Sequence, residues 1–223
     1  MARQYEDYLR PENAAEKTKQ WLATLAGSRG RIPLPPADRV GLVVVDPQRV
    51  FCDPASPSFL PSWPAALTGL LKLIHFFAAH NLPLAFTRHV HPGASIPVNF
   101  AHFFAKVIRP DDPLSHFAPP LDEIAAGHPV FEKDQFSAWS AAEFGRWAKG
   151  RDLLLIAGVQ TQFCIAATAI DSGRYGAIPI VVCDATAAPD ERTHLAALET
   201  LACGHAHVAS TAEVLRHLAG PRQ

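Results

Sequence analysis

The sequence predicts an α/β fold: one three-layer α/β/α sandwich around a mostly parallel six-stranded sheet. Three observations predict it. From Val40 onward, short β-branched and aliphatic runs alternate with longer helix-forming stretches. The strongest runs, VGLVVVD and DLLLIAG, are apolar throughout instead of every second residue, as in strands buried on both faces of a parallel sheet. The links between runs and helices are short, as in a mostly parallel α/β sheet, whose crossovers are expected to be right-handed.

The elements follow in chain order. Residues 12–26 carry Trp21, Leu22 and Leu25 as a thin apolar stripe at helical spacing. Residues 27–38, GSRGRIPLPPAD, read as an extended connector, because Pro33, Pro35 and Pro36 deny helix. Residues 1–39 thus form an N-terminal arm ahead of a domain over 40–218. The arm cannot bury its stripe alone and is expected to pack on its own domain or on a second copy. The first strand runs to Asp46, and a helix covers 63–80. LPLAFTRH is the second strand and PVFEK a short third. A helix in SAAEFGRWAKG ends at Gly150, and DLLLIAG is the fourth strand. A helix over 162–175 closes at Gly176, where glycine suits a helix end. AIPIVVCD is the fifth strand, 189–203 a helix, HAHVAS a short sixth strand, and a last helix starts at Thr211. Residues 91–117 are poor in regular signals, with a helix expected over 99–108 inside a long connection.

Composition bounds the function. The chain has 223 residues, 48% of them hydrophobic and 18% charged, ample for a buried core and too apolar for disorder. Twenty Lys+Arg against 21 Asp+Glu leave a formal charge of −1, with no basic stripe. A nucleic-acid or membrane-surface partner is therefore not expected. The polar start has no apolar core of a signal peptide, and no apolar run approaches the ~20 residues that span a bilayer. Cys52, Cys164, Cys183 and Cys203 show no CxxC spacing, which argues against zinc or a disulfide framework. Free thiols in a cytoplasmic setting are the expectation.

Open parallel sheets bind ligands beyond the C-terminal ends of their strands. Three residues stand there: Asp46 after the first strand, Lys133 at the end of the third, and Cys164 after the fourth, near a helix start. A thiolate is the nucleophilic form of cysteine, and a helix N-terminus and a nearby ammonium both favour it. A carboxylate beside them can take the thiol proton and return it to a leaving group. Each residue also has a bland reading. The Asp can cap a turn, the Cys can pack as a small core residue, and the Lys can be solvated.

The pattern around these residues resembles the isochorismatase-like cysteine hydrolase family over roughly residues 38–212. The resemblance rests on D-x-Q-x-x-F (Asp46, Gln48, Phe51) and on Lys133 ahead of Ser137, Ala138 and Trp139. It rests further on G-V-x-T-x-x-C (Gly158, Val159, Thr161, Cys164) and on D-A-T-A (Asp184, Ala185, Thr186, Ala187). It implies the isochorismatase-like hydrolase fold and a triad of Cys164 as nucleophile, Asp46 as base and Lys133 as electrostatic partner. It implies a cis peptide bond between Val159 and Gln160, which turns the amides of Gln160 and Cys164 toward a substrate oxygen as an oxyanion hole. It places Gln48, Phe51, His91 and Trp139 toward the substrate, and the stretch 91–117 over the pocket, with Phe103 or Phe104 on the substrate.

One departure matters. Nicotinamidases of the family carry a metal trio beginning D-x-H after the second strand, whereas this chain reads TRHVHP. His89 stands at the Asp position and His91 keeps the His, with no further partner histidine evident, so no metal and no other cofactor is expected. The implied activity is cysteine-dependent hydrolysis of a small amide, carbamoyl or ureido C–N bond through a thioester. A vinyl-ether hydrolase of the isochorismatase type is the alternative, and Cys164 argues against it. An inactive interaction protein of the same fold is the third reading. The resemblance also implies a homo-oligomer, dimer or tetramer, acting on a small molecule.

Overall fold

A computed structural model describes residues 5–28, 39–93, 96–104 and 107–220. From residue 29 on, the Pro-rich connector expected at 27–38 lies outside the described residues, as do residues 94–95 and 105–106 of the stretch over the pocket.

Six strands form one sheet: β1 (Val40–Val45), β2 (Leu84–His89), β3 (Val130–Lys133), β4 (Leu153–Val159), β5 (Ile178–Ala187) and β6 (His207–Ala209). Their order is β3-β2-β1-β4-β5-β6, and every pairing is parallel. The described helices are α1 (Ala14–Thr24), α2 (Arg49–Cys52), α3 (Trp63–Ala79), α4 (Val98–Phe103), α5 (Leu121–Ala125), α6 (Ala142–Ala148), α7 (Ala166–Ser172), α8 (Glu191–Ala202) and α9 (Thr211–Leu218). None is long and apolar enough to cross a membrane.

The apolar strands are apolar because both their faces are covered. In β1, Val40, Leu42 and Val44 point into one core with α3 residues Leu70, Leu73 and Phe77. Val43 and Val45 point into a second core with Phe144 of α6, Ile165, and Leu198 and Leu201 of α8. β4 divides the same way, Leu153, Leu155 and Ala157 against Leu154 and Ile156. Strand side chains alternate between faces, so one continuous apolar run supplies two cores and three layers. Each fully buried Leu, Val or Phe among these contributes ~1.5–3 kcal/mol over leaving it exposed.

The helix expected over 12–26 is α1, and its stripe is buried within the chain. Trp21 and Leu25 join the second core beside Tyr8 and Leu9. The Trp21 indole donates to Glu191 at 2.8 Å, and Lys17 pairs with the same carboxylate at 2.7 Å. The stripe therefore supplies no reason for a second copy. The helix expected over 99–108 shortens to α4, because the chain turns extended at Phe104. The helix expected over 162–175 is broken into three pieces: a π-helical turn at Thr161–Ile165, then α7, then a 3₁₀ turn at Gly173–Tyr175. Gly176 ends it in the left-handed region, at φ 78°.

The strand order reverses between β1 and β4. Chain sequence runs outward from β1 to β2 and β3 on one side, and from β4 to β5 and β6 on the other. Such a switch point splays the loops after its two central strands apart and opens a crevice there. Asp46 leaves the sheet at one lip of that crevice and the Cys164 turn at the other. Gly158 lets the two strands meet: it sits at φ 114°, and a Cβ there would lie 2.2 Å from the Val45 carbonyl oxygen. No side chain fits that approach.

Candidate active site

Asp46 follows β1 with φ 49°, a left-handed conformation that aspartate tolerates better than most residues. Its side chain is fully buried. One carboxylate oxygen accepts the Lys133 ammonium at 2.6 Å, and the other accepts the Thr87 hydroxyl at 2.6 Å. Thr87 also takes the Asp46 amide proton, at 3.2 Å. Lys133 arrives at the end of β3, two strands away, and its side chain is as buried as that of Asp46. Its ammonium also donates to the Gln135 carbonyl and to His89 Nδ1, each at 3.2 Å.

Cys164 enters from the β4 side. β4 runs into a cis Val159–Gln160 peptide and then into the π-helical turn that carries the thiol. The Gln160 carbonyl accepts the amides of Phe163 and Ile165 at 3.0 and 3.3 Å, pinning that turn. Thr161, also in the turn, is bonded to the buried His194 ring at 2.9 Å. Single ligand-type atoms of Asp46, His89 and Cys164 all lie within 4.8 Å of one another. The three residues that the sequence sets at separate strand ends therefore meet in one buried cluster.

The electrostatics differ from the simple expectation of a resting thiolate. Burial pushes the Cys164 thiol well above its ordinary value; Lys133 pulls it down and Asp46 pushes it further up. Burial therefore favours the neutral thiol over the thiolate, with the Asp46 carboxylate beside it. Burial alone would push the Lys133 ammonium down, but Asp46, with Cys164 beside it, holds it above the usual lysine range. Burial, then the Lys133 charge, then His91 push His89 down to about 2, so its imidazole is neutral at any physiological pH.

Of the remaining residues expected at the substrate, two do other work. Gln48 is fully buried, and its amide binds backbone only: it accepts from the His89 amide at 2.8 Å and donates to the carbonyls of His89 and Ser115 at 3.0 and 2.9 Å. It clamps the end of β2 to the loop before α5, and its Nε2 donates to two backbone carbonyls. Trp139 stacks on Tyr175 with centroids 4.4 Å apart, and its indole donates to the Thr168 carbonyl and the Ser172 hydroxyl of α7. It braces α7 behind the turn. Phe51 packs among Val50, Val90, Ile108 and Leu114 at the junction of two clusters. His91 is buried beside His89, with Nε2 atoms 3.3 Å apart.

The aromatic wall is larger than the sequence suggested. Phe104 stacks on Phe100 at 4.9 Å and meets Phe163 edge-on at 5.5 Å. Phe136 stacks on Phe163 at 5.2 Å. Phe100 covers both histidine rings at 4.6 and 4.5 Å. Phe103 points away and is 72% exposed. Phe100, Phe136 and Phe163 carried no signal in isolation; only their positions next to β2, Lys133 and Cys164 mark them. Phe163 also lines a surface cavity of about 700 Å³ with Glu6, Gln162, Asp190 and Arg192.

The chain is also similar to known proteins. A family model described as the isochorismatase domain matches residues 40–213. A cysteine hydrolase from Pseudomonas syringae pv. phaseolicola 1448A superposes with a TM-score of 0.72 at 23% identity, over 85% of this chain and 96% of that one. An isochorismatase family protein from Desulfovibrio vulgaris subsp. vulgaris str. Hildenborough gives 0.70 at 21%, over 82% and 99%. A nicotinamidase from Bacillus subtilis gives 0.69 at 18%, over 77% and 99%. No curated protein matches. The chain belongs to the isochorismatase family and has that family's hydrolase fold.

Proposed function

We propose that the protein hydrolyses the C–N bond of a small amide, carbamoyl or ureido compound through a thioester on Cys164. The observation that carries this reading is the buried cluster of one thiol, one carboxylate and one ammonium at the sheet's switch point. A vinyl-ether cleavage by protonation has no use for the thiol.

The steps follow from the contacts. As the Cys164 sulfur attacks the carbonyl carbon, its proton passes to Asp46, the acceptor beside it. The developing negative charge on the carbonyl oxygen is received by the amides of Gln160 and Cys164, each worth about 3 kcal/mol in such a role. The C–N bond breaks as Asp46 returns the proton to the leaving nitrogen, giving ammonia or an amine and an acyl thioester. Water, losing its proton to Asp46, then releases the acid and restores the thiol. Lys133 keeps its charge throughout and offsets the negative charge that would otherwise accumulate between sulfur and carboxylate.

Mass spectrometry of the intact protein after exposure to a panel of small amides and ureido compounds tests the reading. The expected result is an acyl adduct mapped to Cys164 and absent in Cys164→Ala. Turnover that persists in Cys164→Ala would overturn it.

A further inference from the structure

His89 and His91 are two buried titratable groups next to Lys133 that these steps do not use. Their protons can be assigned by elementary bookkeeping. An ammonium only donates, so Lys133, 3.2 Å from His89 Nδ1, requires a lone pair there. A neutral imidazole carries one proton, which must then sit on His89 Nε2. That proton points at His91 Nε2, 3.3 Å away, which must accept it. The His91 proton is left on Nδ1, facing away from the pair. Both residues are only 1% exposed. Phe100 seals them from above.

The chain of donors explains a second feature. The Lys133 ammonium has three N–H groups and faces the carboxylate of Asp46, the carbonyl of Gln135, the ring of His89 and the Cys164 sulfur. His89 is the neutral ring acceptor among them. Asp46, His89 and Cys164 also make the kind of cluster that can hold a metal, but the cation they surround is this ammonium. The residues do not fit the metal that nicotinamidases of the family carry: His89 Nδ1 faces Lys133, and His91 Nε2 faces a hydrogen. A metal would have to displace a proton from each contact, beside an existing positive charge.

We propose that His89 and His91 form a neutral, tautomer-locked relay that takes the place of a metal and positions the Lys133 ammonium between Asp46 and Cys164. His89 is a positioning residue acting through Lys133. That role rests on Cys164 as nucleophile; the tautomers do not.

The test uses the full chain in its resting state. Long-range ¹⁵N–¹H spectra of the histidine rings should show His89 protonated on Nε2 and His91 on Nδ1. Added zinc chloride should leave those resonances in place. A proton on His89 Nδ1, or zinc-dependent shifts of these rings, would overturn the proposal whatever the enzyme hydrolyses. Three variants then test the positioning, read as the rate of Cys164 alkylation by iodoacetamide. His89→Leu removes the acceptor of a charged hydrogen bond and should slow the rate roughly tenfold or more. His89→Gln reaches the His91 side only and should be slowed alike. His89→Asn places an oxygen near the Nδ1 position and should recover most of the loss. Equal rates in all three would refute the positioning role even with the tautomers as expected.

Discussion

Two aspartates, the buried Asp46 beyond β1 and the partly buried Asp184 inside β5, lie in motifs of similar weight in the sequence, yet their surroundings give them opposite work. Asp46 meets an ammonium, a hydroxyl and a thiol, all on side chains from other elements. Asp184 accepts the Thr211 amide at 2.7 Å and hydroxyl at 2.9 Å with one carboxylate oxygen, with the Lys72 charge nearby, and so it ties down the first residue of α9 beside the Ser210 cap. The helix α3 presses in beside it. A Cβ on Gly69 would lie 2.7 Å from the Asp184 carbonyl oxygen, so the glycine is needed for that close approach. A carboxylate bound to a helix start fixes structure. One bound to a cation and a transferable proton can do chemistry.

The same substitution separates the two most widely. Asp46→Asn removes the proton acceptor and should lower turnover roughly 10²–10⁴-fold, measured on whichever amide acylates Cys164. Asp184→Asn should leave turnover within about twofold, since Asn still accepts from Thr211.

Lys133→Met comes next. Loss of the charge abolishes turnover on the reading above. It also leaves the Asp46 carboxylate buried without its partner, and breaking a buried pair in this way costs about 3–5 kcal/mol. Urea denaturation should show this as a lower midpoint, and Lys133→Met combined with Asp46→Asn should regain much of it. An unchanged midpoint in the single variant would mean that water reaches Asp46 more freely than its burial implies.

Thr87→Val probes the other carboxylate oxygen. It removes a hydrogen bond to a charged group, a loss of about 1.5–3 kcal/mol, seen in the same denaturation assay.

The smallest effect is a pH dependence at Asp184. Burial raises its carboxyl pKa, and the Thr211 bonds only partly oppose this. A group with a raised folded pKa costs the native state stability when ionised. That cost is full above the raised value and is relieved as pH falls through it toward the unfolded value. The parent should therefore gain stability relative to Asp184→Asn on mild acidification, read as a rise in the urea midpoint. A gain on raising the pH instead would show that the cap outweighs the burial.

Much of this was legible in the chain. Continuous apolar runs announced strands covered on both faces, and Gly158, Gly176 and the strand-end positions of Asp46 and Lys133 could be read directly. Other features were not. Gln48 and Trp139 look like substrate contacts by motif, but hydrogen bonds to remote backbone and to α7 engage their polar groups. Phe100, Phe136 and Phe163 are ordinary phenylalanines until the loops after β2, β3 and β4 converge. A helix start and a lysine at a strand end both favour a thiolate at Cys164 in the sequence, whereas its burial is a property of the whole packing.

By itself the sequence determined the class of fold, the strands that feed the site and the residue types available for chemistry. Local periodicity and residue chemistry suffice for those. Only the tertiary structure decided which carboxylate faces the thiol, which protons the histidines carry and whether a cation site is filled by lysine. Those depend on distances of a few ångströms between groups that are far apart in the chain, and on a burial that removes the water which would otherwise screen them.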